Sequence, residues 1–156
     1  MTHFILTCIS ASIITFYLFC YIRNFGIPTS ISDTYYNTER KWLFPITLAV
    51  TIGTALIPML NCTPTKYQFL SFLTLAGIMF VASAPAFRKE FEGKIHFGAA
   101  IISGICATTW LICISGIPWL AIAGVVVAIF QWNRKVFWIE VGLSVNMYVV
   151  LLLLTI

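Results

Sequence analysis

Four side chains of this sequence are equipped for chemistry: Ser32, Asp33, His96 and Glu140. An imidazole takes or gives a proton near neutrality, so His96 is the candidate general base. With Asp33 and Glu140 it would form an acid–base set for hydrolysis or acyl transfer. Alternatively, the three would ligate a metal that activates water. Zinc hydrolases usually supply two or three histidines, however, and His96 is the one histidine in the apolar body of this chain. Ser32 offers a hydroxyl nucleophile, although a Ser-Asp neighbour pair in a loop does not by itself create triad geometry. Arg40 and Arg88, with Ser32 and Glu39 beside them, suit a lipid headgroup instead, because guanidinium binds phosphate through paired hydrogen bonds.

Each residue also has a quieter reading. Glu140 could pair with Arg40, Arg88 or Arg134, and His96 could bond a backbone carbonyl at the membrane interface. Glu39 is favourable in a first helical turn, and Asp33 is a natural turn or capping residue. Asp33 and Glu39 lie in one segment, "IPTSISDTYYNTER" (Ile27–Arg40), which holds two of the chain's five acids.

The elements that position these groups follow from composition. Of 156 residues, 60% are hydrophobic and only 9% charged, and the mean hydropathy is +0.98. Soluble domains carry about a quarter charged residues, so this alphabet describes an integral membrane protein. Its apolar runs are Phe4–Ile22, Trp42–Leu60, Phe69–Phe87, Phe97–Ile114, Ile117–Trp132 and Val136–Thr155, and Glu140 is their only charged residue. Most approach the ~20 residues that a helix needs to cross about 30 Å of hydrocarbon. The fifth is short and needs bilayer thinning or burial among its neighbours. The sequence thus predicts a single all-α domain, a compact bundle of six transmembrane helices. Pro45 and Pro58 are expected to kink the second run.

Charge sets the expected orientation. Loops 1, 3 and 5 contain Arg23, Arg40, Lys41, Arg88, Lys89, Lys94, Arg134 and Lys135, whereas the opposite side has only Lys66. The positive-inside rule then places those loops in the cytoplasm and both termini outside. The net charge of +4 reads as topology and attraction to anionic lipid, with no soluble basic face for nucleic acid. The five cysteines show no CxxC spacing and read as small buried hydrophobes. No cofactor is implied, and membrane lipids are the expected partners. Small-residue helix faces permit a homodimer without requiring one.

Parity of the helices puts Asp33, Glu39, His96 and Glu140 on one side of the bilayer. Glu140, Ser144 and Tyr148 recur at i, i+4 and i+8, forming a polar stripe on the last helix. His96, Ala100, Ser103 and Ala107 form a narrow face on the fourth that lets a neighbouring backbone approach closely. These two helices are expected side by side, with loop 1 at the bundle's mouth. An intramembrane Glu costs about 2–3 kcal/mol unless paired, which marks Glu140 as a functional position. A proton-coupled carrier built on Glu140 would normally show internal repeats, and none is visible.

Three stretches together resemble a known family. "ISDTYYNTER" before an apolar helix resembles the "ISD…PE" loop of the six-helix membrane family that includes the damage-regulated autophagy modulators, the FGF-receptor-activating protein and the yeast Sfk protein, with bacterial relatives of unknown function. "FEGKIHFGAAIISGI" is similar to that family's His and small residues opening the fourth helix. "VFWIEVGLSVNMY" is similar to the acidic start of its last helix. Asn37-Thr38-Glu39 stands where the family has Pro-Glu, and the animal relatives are usually drawn with the first loop lumenal. The resemblance implies site roles for Ser32, Asp33, Glu39, Arg40, His96 and Glu140. It also implies a place in membrane lipid biology more than a defined reaction; on the residues themselves, binding, sensing or handling of lipid is expected ahead of catalysis.

Overall fold

A computed structural model describes residues 1–83 and 89–156, with side chains described for 1–83 and 93–156. Among these residues the chain forms six α-helices: α1 (Thr2–Phe25), α2 (Leu43–Asn61), α3 (Gln68–Ser83), α4 (Lys89–Ser115), α5 (Trp119–Phe130) and α6 (Lys135–Thr155). They include five membrane-spanning candidates by length and hydropathy. Phe, Ile and Leu side chains cover their outer surfaces, as at Phe16, Phe72, Ile105 and Leu153. The protein is an all-α, multi-pass membrane bundle.

Local sequence explains where the helices stop. Gly26, at φ 81°, ends α1 by returning its N–H to Ile22 O, and Pro28 follows in the connection. Pro45 lies in the first turn of α2, where its missing N–H leaves no helical bond unmade, so only Pro58 is an interior proline. The polar run before His96 is helical from Lys89 onward, so α4 begins two turns earlier than hydropathy alone suggests. Lys and Glu are good helix formers, and hydropathy does not register a helix that projects beyond the hydrocarbon. His96 therefore sits in the second turn of α4, close to where its apolar span starts at Gly93.

The helix α5 has only 12 residues, about 18 Å at 1.5 Å per residue. It is antiparallel to α6 and welded to it. A Cβ on Gly124 would stand 2.6 Å from Trp138 O and 2.9 Å from Gly142 Cα, and a Cβ on Gly142 would stand 2.8 Å from Gly124 Cα. Asn146 Oδ1 accepts the N–H groups of Leu120 (2.9 Å) and Ala121 (3.2 Å), capping the start of α5 from a neighbouring helix. Pro118, at the cap position itself, has no side-chain group to do so. This buried amide replaces water for donors that would otherwise face hydrocarbon.

Elsewhere, α1 packs on α2 and α3 on α4, where a Cβ on Gly77 would meet Ser103 Cβ at 2.7 Å. The small face of α4 thus brings α3 close. Contact between α4 and α6 is sparser, and a cavity separates them along much of their length. The fully buried Trp110 closes the far end, donating from Nε1 to Thr63 Oγ1 at 2.9 Å. Thr63 belongs to the Asn61-Cys62-Thr63 triplet that matches a glycosylation acceptor, and its hydroxyl is committed to the interior.

Candidate functional site: a polar mouth over an apolar cavity

Loop 1 folds inward. Thr29 O accepts the N–H of Phe137 at 3.0 Å, which ties the loop to the first turn of α6. Two residues on, Ile31 N–H donates to Glu140 Oε2 at 2.6 Å. A 3₁₀ turn over Ser32–Tyr35 follows, in which Thr34 is fully buried and its Oγ1 receives the Tyr17 hydroxyl of α1 at 2.8 Å. Together these bonds hold the loop against α1 and α6 and present Ser32 to α4. There, Ser32 Oγ lies 3.0 Å from His96 Nε2 and 3.1 Å from Ser30 Oγ.

Asp33 serves the loop itself. Its carboxylate accepts the Thr29 hydroxyl at 3.0 Å and the Thr29 N–H at 3.4 Å, while its own N–H returns to Ser30 O and Oγ. The expected grouping of His96, Asp33 and Glu140 is therefore divided. His96 meets Ser32, Glu140 grips the backbone at Ile31, and Asp33 closes a local turn. Among the described residues no three of His, Cys, Asp and Glu gather closely enough to hold a metal ion. Glu39 and Arg40 are exposed beyond the turn. Arg88 lies outside the described residues.

Below this mouth is a cavity of about 200 Å³, bounded by α2, α3, α4 and α6 with loop 1 at one end. Ser32, His96 and Glu140 line it near loop 1, and Met59 and Trp110 line it far below. The fourteen helical rises from His96 to Trp110 span about 21 Å. Its walls are chiefly apolar side chains such as Leu48, Ile52, Leu75, Ile78 and Met147. The stripe of Glu140, Ser144 and Tyr148 faces it, and Tyr148 OH bonds Ser10 Oγ at 2.7 Å. Two buried hydroxyls on lining residues, Thr51 Oγ1 and Thr74 Oγ1, have no hydrogen-bond partner among the described residues.

Sequence reasoning passed over several residues that hold the mouth and the bundle together. Thr29 O and Ile31 N–H reach α6 through the backbone, which carries no residue-type signal, although the Thr29 hydroxyl also bonds Asp33. Asn146 did carry one, as an amide in the middle of an apolar run.

No family model, curated protein or solved structure matches the chain.

Proposed function

We propose that this protein binds a membrane lipid by holding an acyl chain in the cavity between α2, α3, α4 and α6. The lipid's polar end then sits at the mouth, among Ser32, His96 and the docked loop 1. The observation that carries this reading is the shape and polarity of the cavity: about 200 Å³, long, chiefly apolar along its depth and most polar at the loop 1 end. A narrow apolar slot inside a bilayer takes a hydrocarbon tail more readily than a polar solute. A water beside the chain would satisfy the hydroxyls of Thr51 and Thr74.

The surroundings of the mouth support a headgroup role. Arg40 and Arg134 are exposed on this end of the bundle, within reach of the phosphate layer. Lys41 and Lys135 lie over the rings of Tyr35 and Trp132, at 5.7 and 3.7 Å from the ring centroids, as interfacial cations do. The eight-to-one distribution of basic residues favours a cytoplasmic position for the mouth. Labelling of an Asn37→Cys variant by an impermeant reagent outside intact cells would reverse that orientation. The resemblance of loop 1 and the starts of α4 and α6 to the lipid-linked six-helix family supports the same reading.

The test is a phospholipid carrying a photoactivatable group in its acyl chain, reconstituted with the purified protein. Adducts on Gly104 and Ala107, which face the cavity, are expected. Adducts confined to the outward-facing Ile101 and Ile105, which are 59% and 62% exposed, would overturn the proposal.

A further inference from the structure

We propose that Ser32 and His96 form a nucleophile–base pair that cleaves or transfers the acyl ester of the lipid held in the cavity. This rests on the acyl-chain reading above and adds a reaction to it. Three observations carry it. The hydroxyl and the imidazole are 3.0 Å apart, within the range of a working nucleophile and its base. Both line the cavity at the end where its polarity changes, where the ester of an inserted chain would come to rest. Finally, Ser32 is held from both sides in sequence. Glu140 grips Ile31 N–H at 2.6 Å, and the Asp33 N–H closes on Ser30.

In the reaction, Ser32 Oγ bonds to the ester carbonyl carbon while its proton passes to His96 Nε2. Collapse of the tetrahedral intermediate breaks the bond to the leaving alcohol, which departs with the proton from His96. Water, or the hydroxyl of an acceptor lipid, then adds to the acyl-serine carbonyl and gives its proton to His96. The carbonyl–Oγ bond breaks, and His96 returns the proton to Ser32. No electron is exchanged, and the only co-reactant is water or an alcohol. Glu140 is a positioning residue here. Its carboxylate acts on the backbone beside the nucleophile, and a glutamine, which keeps an acceptor oxygen, should replace it.

The probe is a long-chain alkyl fluorophosphonate, added to the full-length protein in phosphatidylcholine–phosphatidylethanolamine nanodiscs, with adducts located by mass spectrometry. The expected adduct is on Ser32, with Ser30 and Ser144 unmodified. Labelling should be lost in Ser32→Ala and slowed on the order of 10²–10⁴-fold in His96→Phe. Glu140→Gln should label nearly as fast as the parent, and Glu140→Leu much more slowly. Photo-crosslinking of the acyl-chain probe is measured on each sample, so an unfolded variant is recognised by its loss. An unlabelled parent protein that still crosslinks at Gly104 would overturn the nucleophile and leave chain binding standing. Equal labelling of Ser30 or Ser144, or unchanged labelling in folded His96→Phe, would also overturn it. Loss of both signals in the parent protein would defeat the nucleophile and the cavity reading together.

Discussion

Two glycine-bearing surfaces of this bundle lead to opposite outcomes. On the α5–α6 seam, Gly124 faces Gly142, and an added Cβ on either would come within 3 Å of the opposing backbone. On the cavity side of α4, a Cβ on Gly104 would meet nothing within 4 Å. In the first case small residues oppose small residues, so the backbones close and a helix of only 12 residues is held firmly against its neighbour. In the second, Gly104 looks into the cavity across open space, one residue along from the Ser103 that packs on α3. Lipid tails are as apolar as leucine, so helices in a bilayer gain nothing from hydrophobic burial and must be held by close packing and hydrogen bonds. Where neither operates, a gap persists. The seam is therefore structure and the gap is the part available for function.

Substitution should break this contrast in a graded way. The largest effect is expected at the seam: Gly142→Ala forces the helices apart, at a cost of about 1–3 kcal/mol. Thermal unfolding of the purified protein should show the loss, and an unchanged Tm would mean that α5 is not held by the seam. Next is Asn146→Leu, which strips the acceptor from Leu120 and Ala121 N–H. Inter-helix hydrogen bonds in membranes average about 0.6 kcal/mol each, so losing two costs about 1 kcal/mol and the Tm should fall by less than that of Gly142→Ala.

Glu140→Leu acts locally. Freeing the Ile31 N–H should raise hydrogen exchange at the Ile31 amide roughly fivefold, as expected for the loss of one hydrogen bond worth about 1 kcal/mol. Glu140→Gln should restore protection, and equal exchange in all three proteins would show that Glu140 does not hold loop 1. Smallest is Gly104→Ala, which adds a methyl group to open space. Its Tm should match the parent's within about 0.5 kcal/mol of equivalent stability. A fall as large as that of Gly142→Ala would erase the distinction between seam and gap.

The sequence was informative wherever a single residue type carried the signal. Long uncharged runs give the bundle, since nothing but a helix crosses hydrocarbon in this composition. Glu140, Ser144 and Tyr148 share one face by helical periodicity alone, and all three line the cavity. Pairings were another matter. Asp33 and Ser32 are neighbours in sequence, and only the 3₁₀ turn decides that the hydroxyl meets His96 while the carboxylate returns to Thr29. The start of α4 was hidden because Lys89–Lys94 is polar and hydropathy reads only the part within the bilayer. Asn146 was legible as a costly residue but not as a cap, because its partners lie 25 and 26 residues away on another helix.

The measurement that bears most directly on the central claim is native mass spectrometry of the protein released from its membrane, beside an Ala107→Phe variant whose ring fills the gap between α4 and its neighbours. Co-purified lipid of defined stoichiometry is expected on the parent protein. A folded variant should lose at least tenfold of that occupancy. Equal lipid on both proteins, with the variant's Tm unchanged, would contradict the claim that the cavity is where the lipid sits.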